Sequence, residues 1–502
     1  SSFNLAKGQN FRMSMAPEKG HLFVEYGTSK IPAYSVMRGM GLTHGDISNK
    51  WGEGLASRNR DAFDSKRDNH IDKLYNKVIR SNKRVHTGTQ DKINAVLNEY
   101  STNTQLDPVT TQKTIGSPHT KVGPRLMLEA SSKILNVYNG RADEDERDSL
   151  EFQKVVSPED FIRERLEKKK HEIAFKYRNK ADLQKDSTVD KILPSGALSR
   201  TLTSFITNSQ ISQLPTQINP VEMLDSMQSV TRVGEGGISD SRAVPDSVRA
   251  IHPSTFGVMD PYKTPDSAAI GVESRFSTGA HKDDKGNIFM PLKDLSSGKR
   301  IYMNAADMPN HAIAFPNQGT SKGRVDVIRG GKVQKVKPKD VRYQIPAVED
   351  MYSVASNMVP LLDSTQGNRV MMGGKYSTQS LPLVHRETPL VATMGGYGRT
   401  LESDVARSFL PQARVDGVVK KVTGSNVTIK SDDGKTVTRS LANDFPLASK
   451  TMLHHTPMVK VGDRVNKNTV IADSNYTKKG DLALGKNLKI GYVAYHGLNS
   501  ND

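Results

Sequence analysis

The stretch VGEGGISD, Val233 to Asp240, sets Gly234, Gly236 and Gly237 around one glutamate. Glycines so placed could let backbone N–H groups crowd an anion, the chemistry of a phosphate-cradling loop. The spacing fits no such cradle: G-x-x-x-x-G-K-[ST] is absent, as is G-x-G-x-x-G behind an apolar strand. Read from its residues, the segment is a mobile turn. Cysteine is absent, which excludes disulfides and any Cys-ligated zinc. The thirteen histidines contain no H-E-x-x-H or H-x-x-E-H pairing, and the adjacent His454–His455 reads as solvated loop. What remains is cationic. With 71 Lys+Arg against 54 Asp+Glu, the net charge of +17 points to a polyanionic partner, nucleic acid first and anionic membrane second. Arg369, in GNRVMMGG, carries a permanently charged fork suited to phosphate oxygens, although read without context the favoured role is closing a helix C-terminus.

A chain of 502 residues implies two to four domains to hold these residues. No run approaches the roughly 18 apolar residues of a membrane span. The opening, SSFNLAKGQNFRMS, lacks an apolar signal core and an initiator Met, so a trimmed or processed chain is expected. HLFVEYGTSKIPAYSVMRGMG reads as a strand-like run and a short helix. Residues 60 to 185 are charged and helix-rich. Leu126, Leu128, Ile134 and Leu135 face inward on one helix; another starts at Ser157-Pro-Glu-Asp, with Ile162, Leu166, Ile173 and Tyr177 on a face. From 190 to 280 periodicity fades into loops, which in a compact domain are usually functional. Short alternating strands fill 285 to 345. VEDMYSVASNMVPLL reads as a helix with Met351, Val354, Met358, Leu361 and Leu362 on one side. RVDGVVKKVTGSNVTIKSDDGKTVTRSL gives two or three strands. MVKVGDRVNKNTVIAD alone would suggest a lipoyl- or biotinyl-type barrel, but the carrier lysine is missing, leaving a structural β-barrel turn.

Read continuously, ISQLPTQINPVEMLDSMQSVTRVGEGGISDSRAVPDSVRAIHPSTFGVMDPYKTPDSAAIG resembles the β subunit of multisubunit DNA-directed RNA polymerases. The shared order is Ser212-Gln213, Asn219-Pro220, Gly234 to Gly237, His252-Pro253 with Gly257, then Pro261, Thr264-Pro265 and Ile270-Gly271. MVPLLDSTQGNRVMMGGKYSTQSLPLVHRETPLVATM, MVKVGDRVNKNTVIAD and GDLALGKNLKIGYVAYHGLNSND are similar to later blocks of that family in the same order. IPAYSVMRGMGLTHGDI is a weaker match, and 40 to 190 diverge. Because the chain starts inside a normal β subunit and stops within a motif, the resemblance extends to the divided subunits of giant phiKZ-like bacteriophages.

The resemblance implies roles residue by residue. Arg369, beside Asn368, would contact the triphosphate of the incoming nucleotide. Lys375, Gln379 and Gln213 would line the RNA–DNA hybrid. Gly234, Gly236 and Gly237 would let a fork-shaped loop bend beside the separating DNA strands, with Arg242 following it. Arg232 has no family counterpart and is only an electrostatic candidate, and Asp240 stands where the family commonly has a basic residue. The family's acidic pair becomes Asn501-Asp502, so Asp502 is the sole carboxylate left there for a second metal or nucleotide contact. Mg2+ would be held mainly by an aspartate triad of a β′-like partner chain, with no zinc in this chain. Thr216, Ser226, Ser229 and Thr231 replace the charged and aromatic rifampicin contacts of the family, which implies resistance.

The fold class expected is mixed α/β and multidomain, like the polymerase β subunit. Residues 1–190 would form a helix-rich lobe, 191–280 the fork and hybrid-binding region, and 281–345 a short-strand region. An active-site-proximal helix and loop would follow over 346–412, then β-barrel-type material over 413–502. The function implied is a polymerase subunit, inactive alone, acting with remaining β and β′ fragments, DNA template, RNA product and NTPs, and with no membrane. Its setting would be the bacterial host cytoplasm after infection, or the virion if packaged. The alternative is a non-catalytic nucleic-acid-binding or virion structural protein derived from a polymerase fragment.

Overall fold

The computed structural model describes residues 5–7, 12–26, 28–79, 84–183, 196, 199–234, 237–238, 240–318, 323–395 and 398–491. They form two compact units, Ser1–Gln153 and Lys154–Asp502.

In the first unit an antiparallel meander joins Arg12–Ala16, His21–Tyr26 and Ser29–Pro32, with Met13 opposite Val24 and Val24 opposite Ile31. Alternation in HLFVEY buries Leu22, Val24 and Tyr26 on one face. Helices Ala33–Gly39, His44–Trp51, Arg67–Val78 and Pro124–Tyr138 cover that face. The expected strand-then-helix opening is present. So is the 124–138 helix, with Leu126, Leu128 and Leu135 buried and Ile134 partly so. Thr43 and Asp46 form a reciprocal cap at the start of His44–Trp51. Trp51 donates its indole N–H to Ser131 Oγ at 2.8 Å, so its one polar atom is satisfied inside the core.

The second unit opens with helix Pro158–Leu183, begun where Ser157-Pro-Glu-Asp predicts. Asp160 Oδ2 accepts both the Ser157 backbone N–H, at 3.1 Å, and its hydroxyl, at 2.9 Å. Ile162, Leu166 and Ile173 are half-buried; the side chain of Tyr177 lies outside the described residues. Residues 281–344 build a seven-stranded sheet. Its main order is Arg300–Asn304, Ile288–Asp294, Tyr343–Gln344, Ile313–Ala314, Val325–Arg329 and Lys332–Val336, with His281–Lys282 also pairing Ile288–Asp294. Further on, Gly417–Val422, Asn426–Ser431, Thr436–Ser440 and Arg464–Val465 make a four-stranded sheet, with two-stranded ribbons around it. None of these pairings closes a barrel among the described residues. No described helix is long and apolar enough to cross a membrane.

Two readings are corrected. The 348–362 segment is not one helix: a 3-10 turn at Val348–Met351 and a four-residue helix at Val354–Asn357 are separated by extended Tyr352 and the cap Ser353. Leu361 then turns into the left-handed region at φ 54°, which no helix continues through. His455 is not solvated loop either. It lies in strand His455–Pro457, buried, with Nδ1 accepting the Ala442 N–H at 2.9 Å. Burial holds its imidazole below the usual histidine pKa. His454 does face solvent, against Asp444 at 2.9 Å.

Candidate nucleic-acid and nucleotide interface

The site is organised by helix Gly367–Gln379. At about 100° per residue, Val370, Gly373, Gly374, Ser377 and Thr378 fall on one side of it. That side packs inward, with Val370, Gly374 and Thr378 buried. The glycines permit the contact: a Cβ on Gly373 would meet Val359 at 3.0 Å, and one on Gly374 would meet the Ala355 carbonyl oxygen at 3.4 Å. At the N-terminal end a Cβ on Gly367 would stand 2.7 Å from the Tyr262 ring, which itself stacks on Tyr352 at 5.4 Å.

Asn368, Arg369, Met372, Lys375, Tyr376 and Gln379 share the opposite side, within about 120° of arc. Asn368, Arg369, Tyr376 and Gln379 are exposed. Sequence reasoning singled out Arg369, Lys375 and Gln379 separately, and one helix face brings all three together. Arg369 does not close a helix C-terminus. It is the third residue of its helix, where the macrodipole disfavours a cation, and its Nη1 lies 3.9 Å from Met372 Sδ. Local helix stability gives no reason for a guanidinium there. Lys375 is not free: its ammonium meets Asp266 Oδ2 at 2.5 Å. That contact holds the Asp266 carboxyl below the usual aspartate pKa, chiefly through the hydrogen bond.

Asn219 anchors the helix from outside. Its Oδ1 accepts the Glu222 N–H at 3.0 Å, capping helix Pro220–Met227. Its Nδ2 donates to the carbonyls of Ser377, Thr378 and Ser380 at 2.9, 3.1 and 2.8 Å. Those carbonyls lie at the C-terminal end of helix Gly367–Gln379, where intrahelical donors run out; Ser377 O also accepts the N–H of the cap Ser380 at 3.4 Å. One buried amide therefore starts one helix and finishes another.

The segment 229–275 is a closed excursion, with strand Ser229–Thr231 paired to Glu273–Arg275. Its irregular chain is held by side chains bonded to backbone. Arg249 donates to the carbonyls of Val244, Ala268, Ile270 and Ser241. Thr264 Oγ accepts from Gly271 N and donates to Glu273 O, both at 2.9 Å. Gly271 sits at φ 68°, and a Cβ there would be 2.4 Å from the Arg249 carbonyl oxygen. Asp260 accepts from Tyr262 N at 2.8 Å and from Ser353 N at 2.9 Å. Beneath lies an ion cluster: Arg275 bonds Asp225 at 2.8 Å and Glu273 at 2.7 Å, with Lys263 3.9 Å from Asp225. Burial, reinforced by Asp225, raises the Glu222 carboxyl.

The described residues of the glycine loop bond to one another and to Arg232. Gly234 N donates to Ile238 O, Gly237 N to Gly234 O and Ile238 N to Arg232 O, each at 3.0 Å. With these N–H groups spent inward, they cannot cradle an anion. Gly234 has φ 138°, and a Cβ on Gly237 would stand 2.5 Å from the Arg232 carbonyl oxygen. Gly236 lies outside the described residues. Arg232 is half-buried and bonds the Val248 carbonyl, which makes it a strut. Arg242 is exposed, in a turn capped by Asp240; Gln213 is exposed too, outside any helix or strand. Asn501 and Asp502 lie outside the described residues.

Thr216 and Ser226 are exposed, and Ser226 donates to Glu222 at 3.2 Å. Ser229 lies between Glu273, at 3.3 Å, and Arg275, at 3.1 Å. Thr231 Oγ accepts the Val233 N–H at 3.1 Å. Sequence reasoning passed over Asp266, Tyr376 and Arg249. The helical period of 368–379 carried the signal for Tyr376; no periodicity announces Asp266 or Arg249.

Residues 213–281 match the family model described as RNA polymerase Rpb2, domain 3. That stretch holds Gln213, the glycine loop, Arg242 and Asp266. Beyond it, the chain is similar to the DNA-directed RNA polymerase subunit beta of Thermus thermophilus, 31% identical over 324 residues, covering 63% of this chain and 28% of that subunit. It is also similar to the same subunit of Rubrobacter xylanophilus, 30% identical over 327 residues with the same coverage, and of Mycoplasmopsis pulmonis, 28% identical over 411 residues, covering 77% of this chain and 33% of that subunit. The matched part of the chain is β-subunit-like, and the chain spans about a third or less of the length of these curated relatives.

Proposed function

We propose that this chain is a subunit of a DNA-directed RNA polymerase and supplies part of the surface that meets the incoming nucleoside triphosphate and the RNA–DNA hybrid. One observation carries the reading: Arg369, Lys375 and Gln379 share one face of a helix that Asn219 ties to the polymerase-like segment. RNA growth is attack of a 3′-oxygen on the α-phosphorus with pyrophosphate leaving, so negative charge must be met by preplaced cations. Arg369 would take triphosphate oxygens through its fork, Lys375 a backbone phosphate, and Gln379 and Gln213 the sugar–phosphate edge of the hybrid. Arg242 would add charge beside the fork. The described residues include no group of three or more His, Cys, Asp or Glu able to hold a metal ion. As the resemblance implies, Mg2+ would be held mainly by carboxylates of a β′-like partner, and no step here is routed through it.

In this reading the chain works only in a complex with further β and β′ polypeptides, DNA and RNA. Low identity to bacterial β subunits supports a giant-phage enzyme, acting in the host cytoplasm or packaged in the virion. Rifampicin resistance belongs to the same reading, because Thr216, Ser226, Ser229 and Thr231 offer the drug only small hydroxyls. The test is purification of the complex and RNA synthesis on a primed template with wild type and Arg369→Ala. The reading expects a rise of about tenfold or more in the KM for NTP, or an equal fall in rate. Unchanged KM and rate would remove Arg369 from the site. A complex that binds nucleic acid but makes no RNA would favour the non-catalytic alternative.

A further inference from the structure

We infer that Tyr376 is a stacking platform for a nucleic-acid base, set between cations that hold the neighbouring phosphates; this deepens the function proposed above and rests on it. Tyr376 is 60% exposed in the last turn of helix Gly367–Gln379. A single exposed tyrosine is ordinary, but this one has particular neighbours. On the helical projection its ring falls between Arg369 on one side and Met372, Gln379 and Lys375 on the other. Lys375 lies about 9 Å along the axis from Arg369 and Tyr376 follows it directly, so the ring stands beside Lys375 and about 10.5 Å in rise from Arg369. Cations that follow the backbone, an amide and a solvent-facing aromatic ring are the donor set of surfaces that bind nucleic-acid strands without reading sequence, since every base has a π-face. An acidic peptide would use the two cations and gain nothing from the ring. The ring is what selects a nucleic acid.

The experiment uses the full chain, a fluorescein-labelled single-stranded oligonucleotide, and the same strand carrying 2-aminopurine. Tyr376→Ala is expected to weaken binding by roughly 5- to 100-fold with an unchanged salt slope, because stacking releases no counterions. Tyr376→Phe should stay within about twofold of wild type, and 2-aminopurine quenching on binding should vanish in Tyr376→Ala alone. Equal affinity of Tyr376→Ala and wild type, or a loss in Tyr376→Phe as deep as in Tyr376→Ala, overturns the proposal. A loss of polyglutamate affinity in Tyr376→Ala as deep as the loss of oligonucleotide affinity also overturns it, because the ring would then not select a nucleic acid. Arg369→Ala and Lys375→Ala separate the two levels. If both weaken binding and flatten the salt slope while Tyr376→Ala does neither, stacking fails and the interface stands. If none of the three changes affinity, the interface itself fails.

Discussion

Lys375 and Asp266 meet across 109 residues of sequence, ammonium to carboxylate at 2.5 Å. A carboxylate of the chain thus occupies the cation that, under the function proposed above, would meet a backbone phosphate. Their side chains are 42% and 53% exposed, so the pair contributes little to stability and exchanges readily. Asp266→Asn is predicted to tighten nucleic-acid binding by about 2- to 5-fold and to steepen the salt dependence by up to about one phosphate contact. Fluorescence anisotropy across a KCl series reads both. An unchanged slope would show that Lys375 does not reach the strand.

Asn219→Ala removes a helix cap and uncovers three carbonyls at the end of the next helix. The expected cost is about 2 to 4 kcal/mol in the second unit, by urea denaturation. Asn219→Asp should keep the cap at Glu222 but set a buried carboxylate oxygen against the carbonyls of Ser377, Thr378 and Ser380, and so cost at least as much as Asn219→Ala. If the aspartate variant matched wild type, the bonds to helix Gly367–Gln379 would carry no weight.

Gly271→Ala tests the closed excursion. The added methyl would meet the Arg249 backbone, and the left-handed φ would be strained as well. A loss of about 2 to 4 kcal/mol is expected, with protease sensitivity appearing first between 232 and 275. Arg249→Lys should mimic it in part, since an ammonium cannot span four carbonyls as a planar fork does.

Glu402 gives a pH dependence. It is 4% exposed, Oε1 accepts the Thr393 N–H at 3.4 Å, and Oε2 has no hydrogen-bond partner among the described residues. Burial raises its carboxyl above the ordinary 4.5. The folded state therefore holds the proton more tightly than the unfolded state. Stability from this group is complete below the unfolded pKa and is lost as pH rises through the folded value. Glu402→Gln should remove that loss, so wild type melts lower relative to the variant at pH 8 than at pH 5. A difference independent of pH would mean that Glu402 ionises freely.

The helices and sheets of the chain were legible where one period ruled, as in HLFVEY, the 124–138 helix and the strands after 285. The 348–362 segment misled because its apolar residues keep helical spacing while Ser353 and Leu361 interrupt the backbone. Residues 229–275 carry little period at all. Their order comes from Arg249, Thr264 and Asp260 reaching distant backbone, a kind of bonding that no spacing rule records. Arg369, Lys375 and Gln379 were visible through resemblance, and their common face follows from the helix alone. Asp266 stayed hidden because its partner lies far along the chain.

The bond from Asn219 to Ser380 spans 161 residues, and this fixes an order of events in folding. At roughly 5 to 20 residues per second, a ribosome needs about 8 to 30 s to make the intervening chain. Until then the amide that caps helix Pro220–Met227 has no carbonyls to receive its N–H groups. Closing so long a loop also slows the final assembly. The polymerase-like segment must therefore wait, half-finished, for the helix that completes its surface.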